Sequence, residues 1–190
     1  NIIMRAFESG ISVKDLYKFV FQPIQREIGR LWQINEISVA QEHFCTAATQ
    51  MIMSQLYPHI FNSNKNGKKF LAASVGSELH EIGVRMVADF FEMEGWDTYY
   101  LGANTPQESI FRTIKELEPN ILGLSSTITF NLKNIKEIIN TIKLNGLDRT
   151  TKILVGGYPF NVAQDLWKKV GADGYAPNAE EALKVAEKMS

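Results

Sequence analysis

From residue 70 onward the chain keeps one rhythm: a short apolar run, a polar or glycine-bearing loop, then a stretch of helical periodicity. The apolar runs fall at 70–75, 98–101, 121–124, 153–155 and 174–176, and the helical stretches at 82–94, 106–117, 132–144, 162–170 and 179–189. Runs so short and so continuously apolar read as strands buried on both faces. Strands that alternate with helices call for a parallel sheet, because only a crossover can return the chain to the same edge. The expected fold is therefore α/β, a doubly wound, parallel, five-stranded sheet of Rossmann-like (flavodoxin-like) type. Ligands of such sheets sit at the carboxyl ends of the strands, so the loops after each strand are where chemistry is expected.

Residues 1–61 hold no convincing strand. Ser12 with Asp15, and Ser38 with Gln41, read as helix N-terminal caps. Pro23 should end one helix near Phe21 and open another that runs to about Trp32. With an opening helix over 2–8 and a long one over 39–57, closed by Pro58, the segment reads as a small four-helix cap bundle. The stretch 62–69 (NSNKNGKK) is polar and turn-rich and reads as a linker. The expected domains are thus a helical cap (1–61), a linker (62–69) and a Rossmann-like domain (70–190).

Composition excludes several roles. Lys and Arg total 20 against 21 acidic residues, a formal net charge of −1, and no basic stripe marks direct nucleic-acid binding. Cys45 is the single cysteine, so no internal disulfide forms and a cytoplasmic location is expected. No apolar run approaches the ~20 residues of a membrane span, and no signal-peptide pattern opens the chain. It begins inside a helical pattern, as a piece of a longer polypeptide would. No glycine spacing of a dinucleotide site and no phosphate loop is present.

The loop after the first strand reads Gly76-Ser77-Glu78-Leu79-His80-Glu81-Ile82-Gly83. A histidine two residues after a carboxylate can bind a metal through one ring nitrogen while the carboxylate accepts the hydrogen on the other. Gly83 would let backbone pass close to a bulky ligand. The third strand ends in Ser125-Ser126-Thr127-Ile128-Thr129, a polar pocket floor or an ordinary turn. The fourth ends in Gly156-Gly157, where missing side chains leave room for something flat, or again a plain turn.

Taken together these loops resemble the cobalamin-binding domain family, whose pattern is Asp-x-His-x-x-Gly, then Ser-x-Leu/Thr, then Gly-Gly at the ends of the first, third and fourth strands. The resemblance covers residues 68–190 and departs at Glu78, where Asp is usual. It implies His80 as the lower cobalt ligand, with the displaced nucleotide tail in a slot lined by Ser125, Thr127, Thr129, Gly156 and Gly157. Glu78, Ile82, Gly83 and Asn178 complete the cofactor contacts it implies on this domain.

The cap carries its own resemblance. Trp32, nine intervening residues, then Glu42-His43 is similar to the Trp-x9-Glu-His signature of light-sensing cobalamin domains, where cap residues cover the upper face of the corrin. Two departures bear on mechanism. Gln33 stands where light-dependent repressors carry a histidine, and Asn131 where methionine-synthase-like carriers have a serine that completes a proton relay. What the resemblance implies is a sensory module: it holds adenosylcobalamin, with a bilin as a possible second chromophore, and controls an output domain or partner protein. The alternative it leaves open is a corrinoid methyl carrier serving methyltransferases. A flavodoxin-like domain without cofactor would have to treat three matching loops as coincidence. Assembly into a homo-oligomer stays open.

Overall fold

The computed structural model describes residues 2–61, 64–163 and 165–190. The chain divides into two compact units, Asn1–Phe61 and Asn62–Ser190.

In the first unit α1 (Ile2–Glu8), α2 (Val13–Leu16), α3 (Gln22–Gln33) and α4 (Val39–Leu56) carry the fold. Ser12 Oγ accepts from Asp15 N–H at 3.1 Å and caps α2. At α4 the capping box is complete: Gln41 N–H donates to Ser38 Oγ, and Ser38 N–H to Gln41 Oε1 at 2.8 Å. The break expected at Pro23 does not occur. Residues Tyr17–Phe21 form a π-helical turn in which Gln22 N–H reaches back to the Tyr17 carbonyl, so α2 runs on into α3. The widened turn lies just ahead of Pro23, where an α-helix would have met the proline ring and lost a donor. Leu16, Tyr17, Phe21, Met53 and Leu56 form the buried centre of this unit.

The second unit is a five-stranded, all-parallel sheet in the order β2-β1-β3-β4-β5. Its strands are β1 (Lys69–Ser74), β2 (Asp97–Tyr100), β3 (Ile121–Ser125), β4 (Lys152–Gly156) and β5 (Gly174–Tyr175). The expected Rossmann-like, flavodoxin-type fold is therefore what the sequence builds. Strand periodicity divides the core: Phe70 and Ala72 point to one face of β1, Leu71 and Ala73 to the other. The first face is covered by α5 (Ile82–Met93) and α10 (Ala179–Met189). The second is covered by α6 (Gln107–Leu117), α7 (Leu132–Leu144) and two short helices, α8 (Tyr158–Val162) and α9 (Leu166–Val170). Gly123 is required on β3, because a Cβ there would lie 2.6 Å from the Phe70 ring, which stacks on Phe91 at 3.7 Å.

Two expectations need correcting. The helix read over 162–170 is two helices. Gly157, at φ +103°, turns the chain out of β4 at once, and Pro159 suits the first turn of a helix that starts there. Ala163, at ψ 88°, then ends that helix. The linker read over 62–69 is also narrower. Asn62 and Ser63 lie outside the described residues, but the Lys65 ammonium pairs with the Glu92 carboxylate and donates to the Trp96 carbonyl at 3.0 Å. Asn66 N–H bonds the Gly95 carbonyl at 2.8 Å. Residues 65–68 are thus fastened to the turn between α5 and β2.

In this strand order successive strands are added first to one side of β1 and then to the other, so the loops that follow β1 and β3 lead to opposite faces of the sheet. The crevice between them is where an open parallel sheet receives a ligand.

Candidate functional site

Glu78 lies at the centre of the crevice and is fully buried. Its Oε1 accepts from the His80 ring Nδ1 at 2.5 Å and from His80 N–H at 3.1 Å. Its Oε2 takes three donors from the loop after β3, Thr127 N–H at 2.7 Å and Ile128 N–H and Asn131 Nδ2 each at 3.1 Å, with Ser126 Oγ alongside at 3.3 Å. Burial alone would push this carboxyl up. The His80 hydrogen bond, followed by those from Thr127, the His80 backbone and Asn131, outweighs it and holds the group down at about 2. Glu78 is therefore a fixed anion.

That anion orients His80. The ring is half-exposed, and with Nδ1 bonded to a carboxylate the hydrogen resides there, which makes Nε2 the electron-pair donor. Among the described residues no three His, Cys, Asp or Glu side chains converge as a metal cage. One oriented imidazole suits a metal whose other positions are filled by a macrocycle. Around it stand apolar side chains that a lone domain would be expected to hide. Leu79 is 72% exposed and Phe130 79%, with Ile128 also open on the loops after β1 and β3 and Tyr158 open at the start of α8 after β4. An exposed apolar rim at a strand-end crevice fits a large flat ligand. The residues present thus fit a corrinoid.

The remaining expected contacts fall into groups. Ser125 closes β3, and Thr127 and Thr129 are exposed on the loop that follows. Thr127 contributes its backbone N–H to Glu78 and not its hydroxyl. Gly83, at the start of α5 beside half-buried Ile82, has open space where a Cβ would stand. Gly156 and Gly157 lie close to other backbone. A Cβ on Gly157 would lie 2.0 Å from the Ser126 carbonyl oxygen, and one on Gly156 3.2 Å from that of Ala176. Asn178 is the N-cap of α10, its Oδ1 accepting from Glu181 N–H at 2.9 Å. In the first unit Trp32 is 42% exposed near the end of α3. Glu42 binds His43 Nδ1 at 2.6 Å and Thr46 Oγ1 at 2.8 Å, so the Glu-His pair is a bonded pair.

Sequence reasoning passed over three participants. Ser126, and not its neighbours Ser125 and Thr127, turns its hydroxyl inward. Asn131 drew notice only through resemblance, yet it is buried and bridges Glu78 to Ser77 Oγ at 3.2 Å. Glu81, the residue after His80, holds the loop on its other side. Its Oε2 accepts from Tyr100 OH at 2.7 Å and Ala103 N–H at 2.9 Å. The available signal was Tyr100 itself, since a half-buried tyrosine at the end of a strand needs a partner for its hydroxyl.

Fold and site define a parallel α/β domain that carries one carboxylate-oriented imidazole in its strand-end crevice. Comparison with known proteins identifies the class: residues 68–184 match the B12 binding domain family, and residues 1–57 match a second family of the same description. The chain belongs to the B12 binding domain family, and its cofactor is a corrinoid. It is 32% identical over 117 residues to dimethylamine corrinoid protein 2 of Methanosarcina mazei, a stretch covering 61% of this chain and 53% of the relative. The chain spans about half the length of the first curated relatives it matches. A crystal structure of a cobalamin-binding protein from Desulfitobacterium hafniense is 28% identical with a TM-score of 0.62, covering 87% of this chain and 78% of that one. The monomethylamine corrinoid protein of Methanosarcina barkeri superposes with a TM-score of 0.84 over 98% of this chain and 88% of its own, at 24% identity, and shows the shared fold. No helix among the described residues is long and apolar enough to cross a membrane.

Proposed function

We propose that this chain is a corrinoid methyl carrier, the component that takes a methyl group from one methyltransferase partner and yields it to another. The observation that carries the reading is the 32% identity with a dimethylamine corrinoid protein. It favours the carrier over the light sensor, and the names of the relatives lend no support to a bilin. A bound corrinoid would supply a cobalt centre able to accept and release a methyl group.

The chain's own residues do the rest. His80 would hold the cobalt of a bound corrinoid through Nε2, and as a tethered imidazole it would be favoured over a free nucleotide tail. Glu78 holds Nδ1–H and, as a fixed anion, keeps the imidazole a strong donor. Asn131 meets Glu78 with an amide N–H, which orients the carboxylate but hands it no proton. Ser126 Oγ directs its hydrogen to the Ile128 carbonyl at 2.8 Å, the shorter of its two contacts. Ser125, Thr127, Thr129, Gly156 and Gly157 would line the slot for the nucleotide tail. We read residues 1–61 as a helical cap domain and residues 70–190 as the corrinoid-binding domain, with 62–69 between them.

The Trp32 and Glu42-His43 signature supports a second reading, an adenosylcobalamin sensor. One experiment separates the two. The protein is loaded with cobalamin, reduced, given methyl iodide and then offered a thiol with a corrinoid:thiol methyltransferase. Uptake and onward transfer of the methyl group support the carrier. Selective retention of the adenosyl form, bleaching under green light and no methyl exchange would overturn it.

A further inference from the structure

We infer that Glu81 and Tyr100 are positioning residues: their contact clamps the His80 loop to the loop after β2 and fixes the imidazole for cobalt from the side opposite Glu78. The inference rests on the reading of His80 as the cobalt ligand and adds a second determinant of its placement.

His80 lies between two carboxylates that hold different neighbours. Glu78 ties the loop to the segment after β3 through Thr127, Ile128 and Asn131. Glu81, one residue beyond His80, ties it to the other side, with Tyr100 OH at 2.7 Å and Ala103 N–H at 2.9 Å on a single oxygen. Tyr100 is the last residue of β2, so this contact joins the loop to the rigid end of a strand. Burial pushes the Tyr100 hydroxyl far above its ordinary range, and the Glu81 carboxylate pushes it further, so the phenol remains a donor. The backbone follows the same path: Asn104 N–H donates to the Glu78 carbonyl at 2.9 Å, and Thr105 N–H to that of Ser74 at 3.0 Å. Glu78 alone fixes the ring's tautomer. With Glu81 also in place, the Cα of His80 cannot swing away from the crevice, because both flanks of the loop are held. A ligand atom must be kept within tenths of an ångström, and such precision comes from the groups behind it.

The test uses cobinamide, a corrinoid without a nucleotide tail, so that binding leans on His80. Tyr100→Phe removes the phenol and keeps the ring, Glu81→Ala removes the acceptor, and Glu81→Gln keeps an oxygen for both donors. Affinity should fall about fivefold in Tyr100→Phe and Glu81→Ala, the scale of one hydrogen bond, and recover in Glu81→Gln. Each substitution is repeated in a His80→Ala background, where it should have no further effect, since there is no imidazole left to place. An equal loss with and without His80 would show that the pair acts only on stability and would overturn the inference. So would unchanged affinity in both Tyr100→Phe and Glu81→Ala. If His80→Ala alone leaves cobinamide affinity unchanged, the ligand assignment fails, and this inference falls with it.

Discussion

Asn131 Nδ2 lies 3.1 Å from Glu78 Oε2, and both side chains are buried. An amide therefore stands where a proton-passing hydroxyl would complete a relay, and the carboxylate behind His80 is tied in place. Replacing Asn131 by Asp puts two carboxylates together away from water, which disfavours ionisation of both. Asn131→Asp should be destabilised at pH 7 and recover part of the loss as pH falls and one carboxyl takes a proton. Asn131→Ala should lose roughly 1–3 kcal/mol with no such recovery. Urea unfolding at pH 7 and pH 5 checks both, and parallel behaviour of the two variants would contradict the buried contact.

Glu78 sets a second pH dependence. Its folded value of about 2 lies below the ordinary 4.5, so the stability it contributes is complete above about pH 4.5 and is lost as pH falls towards 2. The shift corresponds to about 3 kcal/mol. Glu78→Gln, which cannot ionise, should be less stable than the parent at pH 7 and should lose less further stability between pH 4.5 and 2. Chemical denaturation of the apoprotein across that range measures it. Equal slopes for parent and variant would show that Glu78 is not held ionised.

These contacts show what could be read in the sequence and what could not. The five strands and most helices were legible because their signals are local: short apolar runs, capping boxes, helical periodicity. The candidate ligand His80 and its partner Glu78 were legible because they are two residues apart in a strand-end loop. Most of the network behind them was not, since Ser126 and Asn131 meet Glu78 across about fifty residues of chain. Tyr100 and Glu81 likewise come together only when β2 lines up beside β1. The continuous helix through Pro23 escaped notice because a π-turn has no composition of its own. The sequence reading took the Gly-Gly pair as room for something flat or a plain turn, and at Gly157 the structure adds that a Cβ would meet the Ser126 backbone.

That last point predicts an outcome different from simple obstruction of a ligand slot. Gly157 has φ +103° and meets the Ser126 carbonyl, so Gly157→Ala should destabilise the apoprotein itself, by roughly 2 kcal/mol or more. Gly156→Val should also press on the Ala176 carbonyl, and not leave the fold untouched. Thermal or urea unfolding without cofactor gives the answer. Full apoprotein stability in Gly157→Ala, together with lost cobalamin uptake, would return this glycine to a purely ligand-facing role.

The most direct test of the account asks which nitrogen sits on cobalt. The protein is loaded with cobalamin, reduced to the paramagnetic Co(II) state and examined by electron paramagnetic resonance, with natural-abundance and with 15N-labelled histidine. Nitrogen-14 coupling from one axial imidazole splits each cobalt line into a triplet, and nitrogen-15 into a doublet. The account predicts the triplet in unlabelled protein, the doublet on histidine labelling, and neither a histidine-derived pattern nor its label sensitivity in His80→Ala. A splitting that ignores the label would place the cofactor's own tail on cobalt, and a label-sensitive splitting that survives His80→Ala would place another histidine there. Either result would contradict His80 as the ligand.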